Sequence, residues 1–433
     1  MKFTKTQFKP IGTRPMNRTT ACAAGLRPLG GSEVAGLRFG GNAAPTGGSE
    51  QFPGPIWHNR KALKRLDLVF FDAGGGHRAA AHALRGVIEA RQPACEVRLV
   101  NLQELLDSID IFRKLTGIRL EDLYNLMLKK GWTLVSPQFF AGLHPAIRLF
   151  HRRQVELLQK FWRDSRPGLV VSLVPNFNRA LRESLGAIPF VTILTDLADY
   201  PPHFWIERQE QYLICGSDKA VQQALDLGHR RENVFRVSGM ILNPSFHEAP
   251  PLTAEQRACA RARLGFQPEL PIGLVSFGGQ GAPVMDDVAR SLSDRQLLLI
   301  CGHNAELADK LRALPHRAPY YVEGFTKEIP RYMQLADYFI GKPGPGSISE
   351  AVFMHLPVIV ERNAWTMPQE RYNADWVREQ GVGMVLPNFR RVADAVDELL
   401  EPAAYHRFRA ATEKLENRAV FEIPDILERI LAH

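Results

Sequence analysis

Cysteine is scarce in this chain of 433 residues, which contains five. None of them forms a C-x-x-C pair, so the sequence predicts neither a disulfide framework nor a zinc site. Scattered cysteines of this kind are typical of a reducing compartment, and we expect a cytoplasmic protein. Long apolar runs are missing as well, since no segment approaches the roughly 18 apolar residues of a membrane-spanning helix.

Acidic residues are few near the start of the chain, where most of the positive charge is concentrated. Residues 1–50 hold seven Lys and Arg against two Glu, a net of +5, whereas the whole chain has a net charge of +8. The remaining +3 (8 minus 5) is too little to favour a nucleic-acid-binding protein. Residues 1–60 lack an apolar period and the apolar core of a secretory signal. We interpret them as a flexible basic extension. This extension is compatible with a transit peptide or with a membrane-contacting arm. It is also compatible with an upstream start codon, since Met16 lies inside it.

From Lys61 onward, short apolar segments alternate with amphipathic helical ones, which indicates parallel sheets covered by helices on both faces. Residues 243–254 contain three prolines and no period, and we interpret them as a linker between domains. We therefore predict an α/β protein with two facing, doubly wound, Rossmann-like domains over residues 61–245 and 246–389, followed by helices over 390–433. The predicted strands are residues 66–71, 96–102, 168–174, 188–196, 211–216, 233–239, 270–279, 296–302, 319–325, 336–342, 356–361 and 381–387.

A run of three glycines, residues 74–76, follows the first predicted strand. Helix-forming residues come next, so the glycines form a strand-to-helix turn in which free N–H groups favour an anion. Glycine also lets a ligand approach the backbone closely. The spacing matches neither the G-x-G-x-x-G dinucleotide motif nor a P-loop. A functional site around His77 and a tight turn with a surface histidine are equally compatible with this segment.

The sequence KPGPGS, residues 342–347, forms a second strand-to-helix turn with two glycines. Its backbone N–H groups and Ser347 can hold a diphosphate, and Glu350 can accept hydrogen bonds from a ribose. We expect the helix to begin near Ser347 and to carry Glu350 in its first turn. The structural alternative is that Ser347 caps the helix and that Glu350 interacts favourably with the helix dipole.

Five segments occur in the same order as in one enzyme family. They are AGGGHRAAAHAL, TDLADYPPHFW, VSGMILNPSF, EGFTKEIPRYMQLADYFIGKPGPGSISEA and PQERYNADWVREQGVG. Together they resemble the glycosyltransferase family 28-type enzymes that make monogalactosyldiacylglycerol and bacterial diacylglycerol glucosides. More distantly, they resemble the N-acetylglucosaminyltransferase of peptidoglycan synthesis. The resemblance extends from about Leu66 to Leu386, and it implies a GT-B fold and an inverting hexosyltransferase that uses a UDP-sugar.

The resemblance implies a role for each matching residue on the donor side. The segment around Phe325 and Thr326 would contact the uracil, and Glu350 would bind the ribose. Sugar hydroxyls would be bound by Gln369 and Glu370, whose amide and carboxylate supply donors and acceptors. An exposed helix start is the alternative for these two residues. The glycine turns of both domains would face the diphosphate at Gly75, Gly76, Gly278, Gly344, Gly346 and Ser347.

On the opposite wall of the cleft, the resemblance places His77 near the reacting centre. An imidazole titrates near neutral pH, so His77 is a candidate general base for the acceptor hydroxyl, or it only positions substrate or phosphate. Asp196 is the alternative base, and a role as a helix or turn cap is equally compatible with it. The chain departs from the family at Val174 and Pro201, where histidines are usual, and His203 is displaced from the second position.

Residues 112–153 combine basic and aromatic side chains. They hold eight Lys and Arg against two acids, and proteins with this combination can lie on an anionic bilayer. An amphipathic helix packed on the sheet is the alternative for residues 120–132. Membrane contacts are predicted for Trp132, Phe139, Phe140, Arg148, Arg152 and Arg153.

These features predict an inverting glycosyltransferase that moves a hexose from a UDP-sugar to a lipid acceptor, with diacylglycerol expected. A polyprenyl-linked or non-lipid acceptor and a UDP-N-acetylglucosamine 2-epimerase-like activity are the alternatives. A non-catalytic nucleic-acid-binding protein is a third class, against which the paired glycine turns argue. We expect peripheral association with the cytoplasmic face of the membrane and no cofactor. We also expect no essential metal, because the Asp286-Asp287 pair falls in a predicted helix rather than at a strand end.

Overall fold

The computed structural model describes residues 65–72, 75–107, 147–200, 203–364 and 366–432. These residues belong to one compact unit. None of the helices in these ranges has both the length and the apolar character needed to cross a bilayer.

The N-terminal half is built on one parallel sheet of six strands. The strands are β1 (Arg65–Phe70), β2 (Glu96–Asn101), β3 (Leu169–Ser172), β4 (Phe190–Ile193), β5 (Tyr212–Cys215) and β6 (Val234–Arg236). Their order in the sheet is β2-β1-β3-β4-β5-β6. The described helices of this half are α1 (Gly76–Arg91), α2 (Leu102–Leu106), α3 (His151–Arg163), α4 (Asn178–Leu185) and α5 (Asp218–Asp226).

The C-terminal half contains a second parallel sheet of six strands, reached through the short linker helix α6 (Ser245–Glu248). The strands are β7 (Ile272–Ser276), β8 (Gln296–Ile300), β9 (Tyr320–Glu323), β10 (Tyr338–Gly341), β11 (Val358–Glu361) and β12 (Gly383–Leu386). Their order is β12-β11-β10-β7-β8-β9. The helices are α7 (Ala254–Arg263), α8 (Val284–Ser291), α9 (Ala305–Arg312), α10 (Ile329–Leu335), α11 (Pro345–Phe353), α12 (Arg371–Gln380), α13 (Val392–Leu400), α14 (Pro402–Glu413) and α15 (Ala419–Ala432).

Each described strand lies where the sequence predicts one, and the α/β fold with two doubly wound halves is confirmed. The differences lie mainly at the carboxyl ends of the strands. The strand predicted over 188–196, for example, ends at Ile193. Apolar character cannot locate that end because Leu194, just beyond the strand, is still only 2% exposed.

The last helix returns to the N-terminal half. Its buried residues pack on the first sheet, and they are Ala419, Ile423, Ile426, Leu427 and Ile430. Helix α15 also contacts α1. Arg91 in α1 donates a hydrogen bond of 2.9 Å to the Phe421 carbonyl and forms a salt bridge of 2.9 Å with Asp425. Helices α13 and α14 pack instead in the core of the C-terminal half. The predicted segment of C-terminal helices, residues 390–433, is thus divided between the two halves.

Three described cysteines, Cys95, Cys215 and Cys301, are buried free thiols. Burial raises the pKa of Cys301 to about 11. A thiol with so high a pKa is a poor nucleophile at neutral pH.

Candidate active site

The carboxyl ends of both sheets open into one cleft with a volume of about 990 Å³. The strand order reverses between β1 and β3 in the first sheet and between β7 and β10 in the second. Open α/β sheets bind ligands at such reversals. The cleft brings together the predicted catalytic and donor-binding residues. They are Gly75, Gly76, His77, Asp196, Gly278, Phe325, Thr326, Gly344, Gly346, Ser347, Glu350, Gln369 and Glu370.

The first glycine turn forms part of the N-terminal wall of the cleft. Gly75 is the residue before α1 and has a φ of 80°, a left-handed conformation that favours glycine. No side chain caps this end of the helix. A Cβ atom built on Gly75 or Gly76 would meet no atom within 4 Å. The turn therefore leaves both open space and free backbone N–H groups beside the cleft.

His77 lies in the first turn of α1 and lines the cleft. Its Nδ1 is 3.0 Å from Thr195 Oγ1, and its ring centroid is 5.7 Å from that of Trp205. Burial lowers the pKa of His77 to about 4, and a hydrogen bond to the Leu173 backbone partly opposes this shift. The imidazole is therefore neutral at pH 7. With the proton on Nδ1, Nε2 keeps a lone pair that can accept a proton.

Asp196 follows β4 and is buried beside the same indole. Its Oδ2 accepts a hydrogen bond of 2.9 Å from Trp205 Nε1, so an indole, rather than a helix or turn that it caps, is its donor. Burial is the main cause that raises the pKa of Asp196 to about 7. The negative charges of Glu370 and Asp199 add to the shift, while the indole and Lys342 oppose it. The pKa values of the two candidate bases are thus shifted in opposite directions.

The second glycine turn leads into α11, which begins at Pro345, before the predicted start near Ser347. Gly344 is the residue before the helix, and no side chain caps the start of the helix. The alternative in which Ser347 caps the helix is therefore wrong. Because the helix starts earlier, Glu350 lies in its second turn and not in the first. A Cβ atom on Gly346 would meet no atom within 4 Å. The N–H groups of this helix start are left for an anion.

Glu350 is half-buried in the wall of the cleft. Burial raises the pKa of its carboxyl group to about 7, and neither a cation nor a hydrogen-bond donor of the described residues offsets that shift. Removing a carboxyl group from water without a partner costs free energy. The geometry leaves this group available to a hydroxyl of a bound molecule.

Lys342 places a positive charge between the glycine turns of the C-terminal half. Its Cε lies 3.6 Å from the position of a Cβ on Gly278 and 3.3 Å from that on Gly344. Its Nζ donates a hydrogen bond of 2.8 Å to Glu370 Oε1. Glu370 is only 9% exposed, so the alternative of an exposed helix start is wrong for this residue.

Phe325 and Thr326 follow β9 and line the cleft. Phe325 is 57% exposed, and its ring stacks on His303 with centroids 4.0 Å apart and 17° between the planes. The exposed face of a stacked aromatic pair is a surface on which a planar base can lie. Gly278, after β7, has a φ of 80°, the left-handed conformation that favours glycine.

Sequence reasoning missed four residues that contact these groups: Thr195, Trp205, His303 and Lys342. The signal for Lys342 was available, because it opens the KPGPGS turn and a cation beside phosphate-binding glycines has an evident use. Thr195 and Trp205 are the ends of the TDLADYPPHFW segment, but the segment does not show that the Trp205 indole binds Asp196. No local pattern marks His303, which tertiary packing brings to Phe325.

The residues predicted to contact the membrane fall into two groups. Those outside the described residues are Trp132, Phe139 and Phe140. Arg148, Arg152 and Arg153 are described and exposed, and Leu149 beside them is 78% exposed. The described part of the predicted surface thus combines three arginines with one apolar side chain.

Comparisons with known proteins agree with this architecture. Residues 274–430 match the glycosyltransferase family 28 C-terminal domain. The monogalactosyldiacylglycerol synthase of Spinacia oleracea is 28% identical over 406 residues, which cover 85% of this chain and 73% of the relative. A probable monogalactosyldiacylglycerol synthase 2 of Oryza sativa subsp. japonica is 27% identical over 418 residues, covering 89% and 82%.

Solved structures share the fold at much lower identity. MurG of Acinetobacter baumannii has a TM-score of 0.52 and 13% identity, with 84% of this chain and 99% of that chain covered. UGT89C1 of Arabidopsis thaliana has a TM-score of 0.54 and 12% identity, with coverage of 85% and 100%. The family resemblance of the sequence motifs is confirmed. The chain therefore has the GT-B fold. It is a glycosyltransferase that is similar to the monogalactosyldiacylglycerol synthases and whose residues 274–430 match the C-terminal domain of glycosyltransferase family 28.

Proposed function

We propose that this enzyme transfers a hexose from a UDP-sugar to a lipid acceptor, diacylglycerol, with inversion of the anomeric carbon. The observation that carries the proposal is the set of groups that face each other across the cleft. The C-terminal wall has an uncapped helix start, a cation and a carboxyl group without a partner among the described residues. The N-terminal wall has a second uncapped helix start and a neutral imidazole. The relatives are named for monogalactosyldiacylglycerol, which supports diacylglycerol as the acceptor.

The donor would rest on the C-terminal wall. The diphosphate accepts hydrogen bonds from the N–H groups at the start of α11, where the helix dipole also favours negative charge. The Glu350 carboxyl group binds the ribose hydroxyls, and the uracil lies against Phe325 and Thr326, with His303 supporting the Phe325 ring. Gln369 and Glu370 hold the hydroxyls of the sugar.

The transfer needs one proton acceptor and one stabilised leaving group. Nε2 of His77 takes the proton of the acceptor hydroxyl as its oxygen attacks the anomeric carbon from the face opposite the diphosphate. The bond from that carbon to the diphosphate oxygen breaks, and UDP leaves with the electron pair. Lys342 and the start of α11 stabilise the negative charge that develops on the diphosphate. A single displacement of this kind inverts the anomeric centre.

The exposed arginines supply a surface for the membrane that holds the acceptor. Arg148, Arg152 and Arg153 are exposed around Leu149, and α3, which carries two of them, follows the predicted membrane segment. Basic side chains attract an anionic leaflet, and an apolar side chain can enter its interface. We place the enzyme on the cytoplasmic face of the membrane as a peripheral protein.

Replacing Arg148, Arg152 and Arg153 together by serine should weaken binding to anionic vesicles. Each basic residue near such a surface contributes about 1 kcal/mol, so the expected loss is roughly a hundredfold. Flotation with vesicles of phosphatidylcholine and phosphatidylglycerol at low salt measures it. The matched control replaces three exposed arginines of the C-terminal half, Arg390, Arg391 and Arg407. Equal flotation of the two variants would remove this surface from the proposal.

Replacing Glu350 by alanine should weaken UDP binding about ten- to a hundredfold above pH 8, where its carboxyl group, with a pKa of about 7, is ionised and the ribose loses a charged hydrogen-bond acceptor. Calorimetry with UDP measures the change. Glu350→Gln is the matched control, since an amide of the same length still offers an acceptor and should bind more tightly than the alanine variant. Unchanged UDP affinity in a folded Glu350→Ala variant would refute the ribose role.

Product analysis tests the proposed function directly. The protein is incubated with UDP-galactose, UDP-glucose or UDP-N-acetylglucosamine and with vesicles that contain diacylglycerol, and the lipids are analysed by mass. We expect one hexose added to diacylglycerol. A parallel incubation without lipid tests for interconversion of the UDP-sugars. Interconversion without any glycolipid would refute transfer in favour of an epimerase.

A further inference from the structure

The chain crosses between its two halves twice, and the two crossings are bonded to each other. Asn417, before α15, donates a hydrogen bond of 3.0 Å to the Met240 carbonyl. The Ser238 N–H donates one of 2.7 Å to Glu422 Oε2. A Cβ atom on Gly239 would lie 2.7 Å from Asn417, so the segments are in direct contact. A few residues between two rigid sheets therefore define the place about which the halves can turn.

His247 lies beside these crossings, in the linker helix α6, and packs between the two halves. Its ring centroid is 4.6 Å from that of Phe353, the last residue of α11. It is 4.9 Å from Phe421, near the start of α15. Arg91, the last residue of α1, donates a hydrogen bond to the Phe421 carbonyl, and its guanidinium lies 5.8 Å from the Phe421 ring. A continuous line of contacts thus joins the carboxyl end of α1 to that of α11.

These are the helices whose other ends form the walls of the cleft. Helix α1 begins at the turn with His77, and α11 begins at the KPGPGS turn. With 16 residues, α1 is about 24 Å long, so a rotation of about 3° at its carboxyl end moves its start by roughly 1 Å. A misplacement of about 1 Å at a reacting centre can slow a reaction about a hundredfold.

We propose that His247 is a positioning residue whose ring, wedged between Phe353 and Phe421, sets the separation of His77 from the donor turn. The inference rests on the proposed function. Ring packing carries the role, because Nε2 is buried and has no hydrogen-bond partner among the described residues. Burial and the nearby Arg418 lower the pKa of His247, with Glu248 opposing, so the ring is uncharged at neutral pH.

Three variants test this role. His247→Ala removes the ring, and His247→Phe restores a ring without polar atoms. His316→Ala is the matched control. His316 also stacks on an aromatic ring, that of Tyr320, with centroids 4.4 Å apart, and its Nε2 is also buried without a partner among the described residues. Unlike His247, it does not lie between the two halves but precedes the edge strand β9. At a temperature where all proteins are folded, we expect His247→Ala to lower kcat about tenfold or more. UDP affinity should stay within about twofold of the wild type, because UDP rests on one half, and His247→Phe should recover most of the rate.

Several results would overturn the proposal: an unchanged kcat in His247→Ala, an equal loss in His316→Ala, or no recovery in His247→Phe. Small-angle X-ray scattering provides a readout that does not need transfer. The radius of gyration of His247→Ala should exceed those of the wild type and the other two variants, because its halves are less restrained. If the wild type transfers no sugar, the proposed function fails, and equal radii of gyration would separately refute the role of His247.

Discussion

Replacing His77 by alanine is expected to slow sugar transfer about a hundred- to ten-thousandfold, the usual loss on removal of a general base. UDP affinity should stay close to that of the wild type, because UDP would rest on α11 and His77 comes from the opposite wall. Single-turnover transfer and UDP calorimetry measure the two quantities. If UDP affinity falls together with the rate, His77 orients the phosphates instead. Near-normal turnover of the His77→Ala variant would show that the imidazole has no catalytic role.

The pH dependence of the wild type separates the two candidate bases, since a base must be unprotonated to act. His77, with a pKa of about 4, is already unprotonated above about pH 5. Asp196, with a pKa of about 7, would still be gaining its charge between pH 6 and 8. The Glu350 carboxyl group also has a pKa of about 7 and would affect donor binding, so the quantity to measure is kcat at saturating UDP-sugar. We expect this kcat to be nearly constant over that range. A fall of about tenfold from pH 8 to pH 6, abolished in Asp196→Asn, would assign the proton to Asp196.

Replacing Lys342 by methionine is expected to lower kcat about a hundred- to a thousandfold, the usual cost of losing one group that stabilises developing charge. Methionine keeps much of the stem that fills the space beside Gly278 and Gly344 but removes the cation. The leaving UDP would then lack the compensating charge of the Lys342 ammonium group. Single-turnover rates at saturating UDP-sugar measure the effect.

Lys342 also pairs with the buried Glu370, and this pair needs its own control. The methionine variant leaves a buried carboxylate without a partner, which is costly in itself. Lys342→Met is therefore compared with the wild type and again in a Glu370→Gln background. A similar loss in both backgrounds supports action on the diphosphate. If Lys342→Met no longer lowers kcat in the Glu370→Gln background, the unpaired Glu370 carboxylate caused the loss, and Lys342 has no catalytic role.

Much of the donor wall could be predicted from sequence because its residues lie close together along the chain. The KPGPGS turn carries its signal in adjacent positions, since glycines, a serine and a following carboxylate all belong to one strand–turn–helix unit. The predicted helix start near Ser347 is wrong, because the helix already begins at Pro345, inside the KPGPGS segment. Proline is, however, favoured in the first turn of a helix, where its missing N–H costs nothing.

Contacts made across the fold could not be predicted in the same way. The Trp205 indole binds Asp196 because the loop after β4 folds back on itself, and Phe325 stacks on His303 because neighbouring strands end side by side. Neither contact has a periodic or local signature. The packing partner of α15 could not be predicted either. The pattern of an amphipathic helix shows that one face packs on an apolar surface, but it does not show which surface that is.

The return of α15 to the first sheet has a consequence for synthesis on the ribosome. Ala419, Ile423 and Ile430 complete the core around β1 and α1, but they are made after every described strand of both sheets. Helices α13 and α14, which complete the other core, leave the ribosome earlier. Domains usually finish folding in the order of their synthesis. In this protein, the N-terminal half is made first, but its core stays incomplete, with an uncovered apolar face, until α15 is made. The C-terminal half can therefore complete its core earlier.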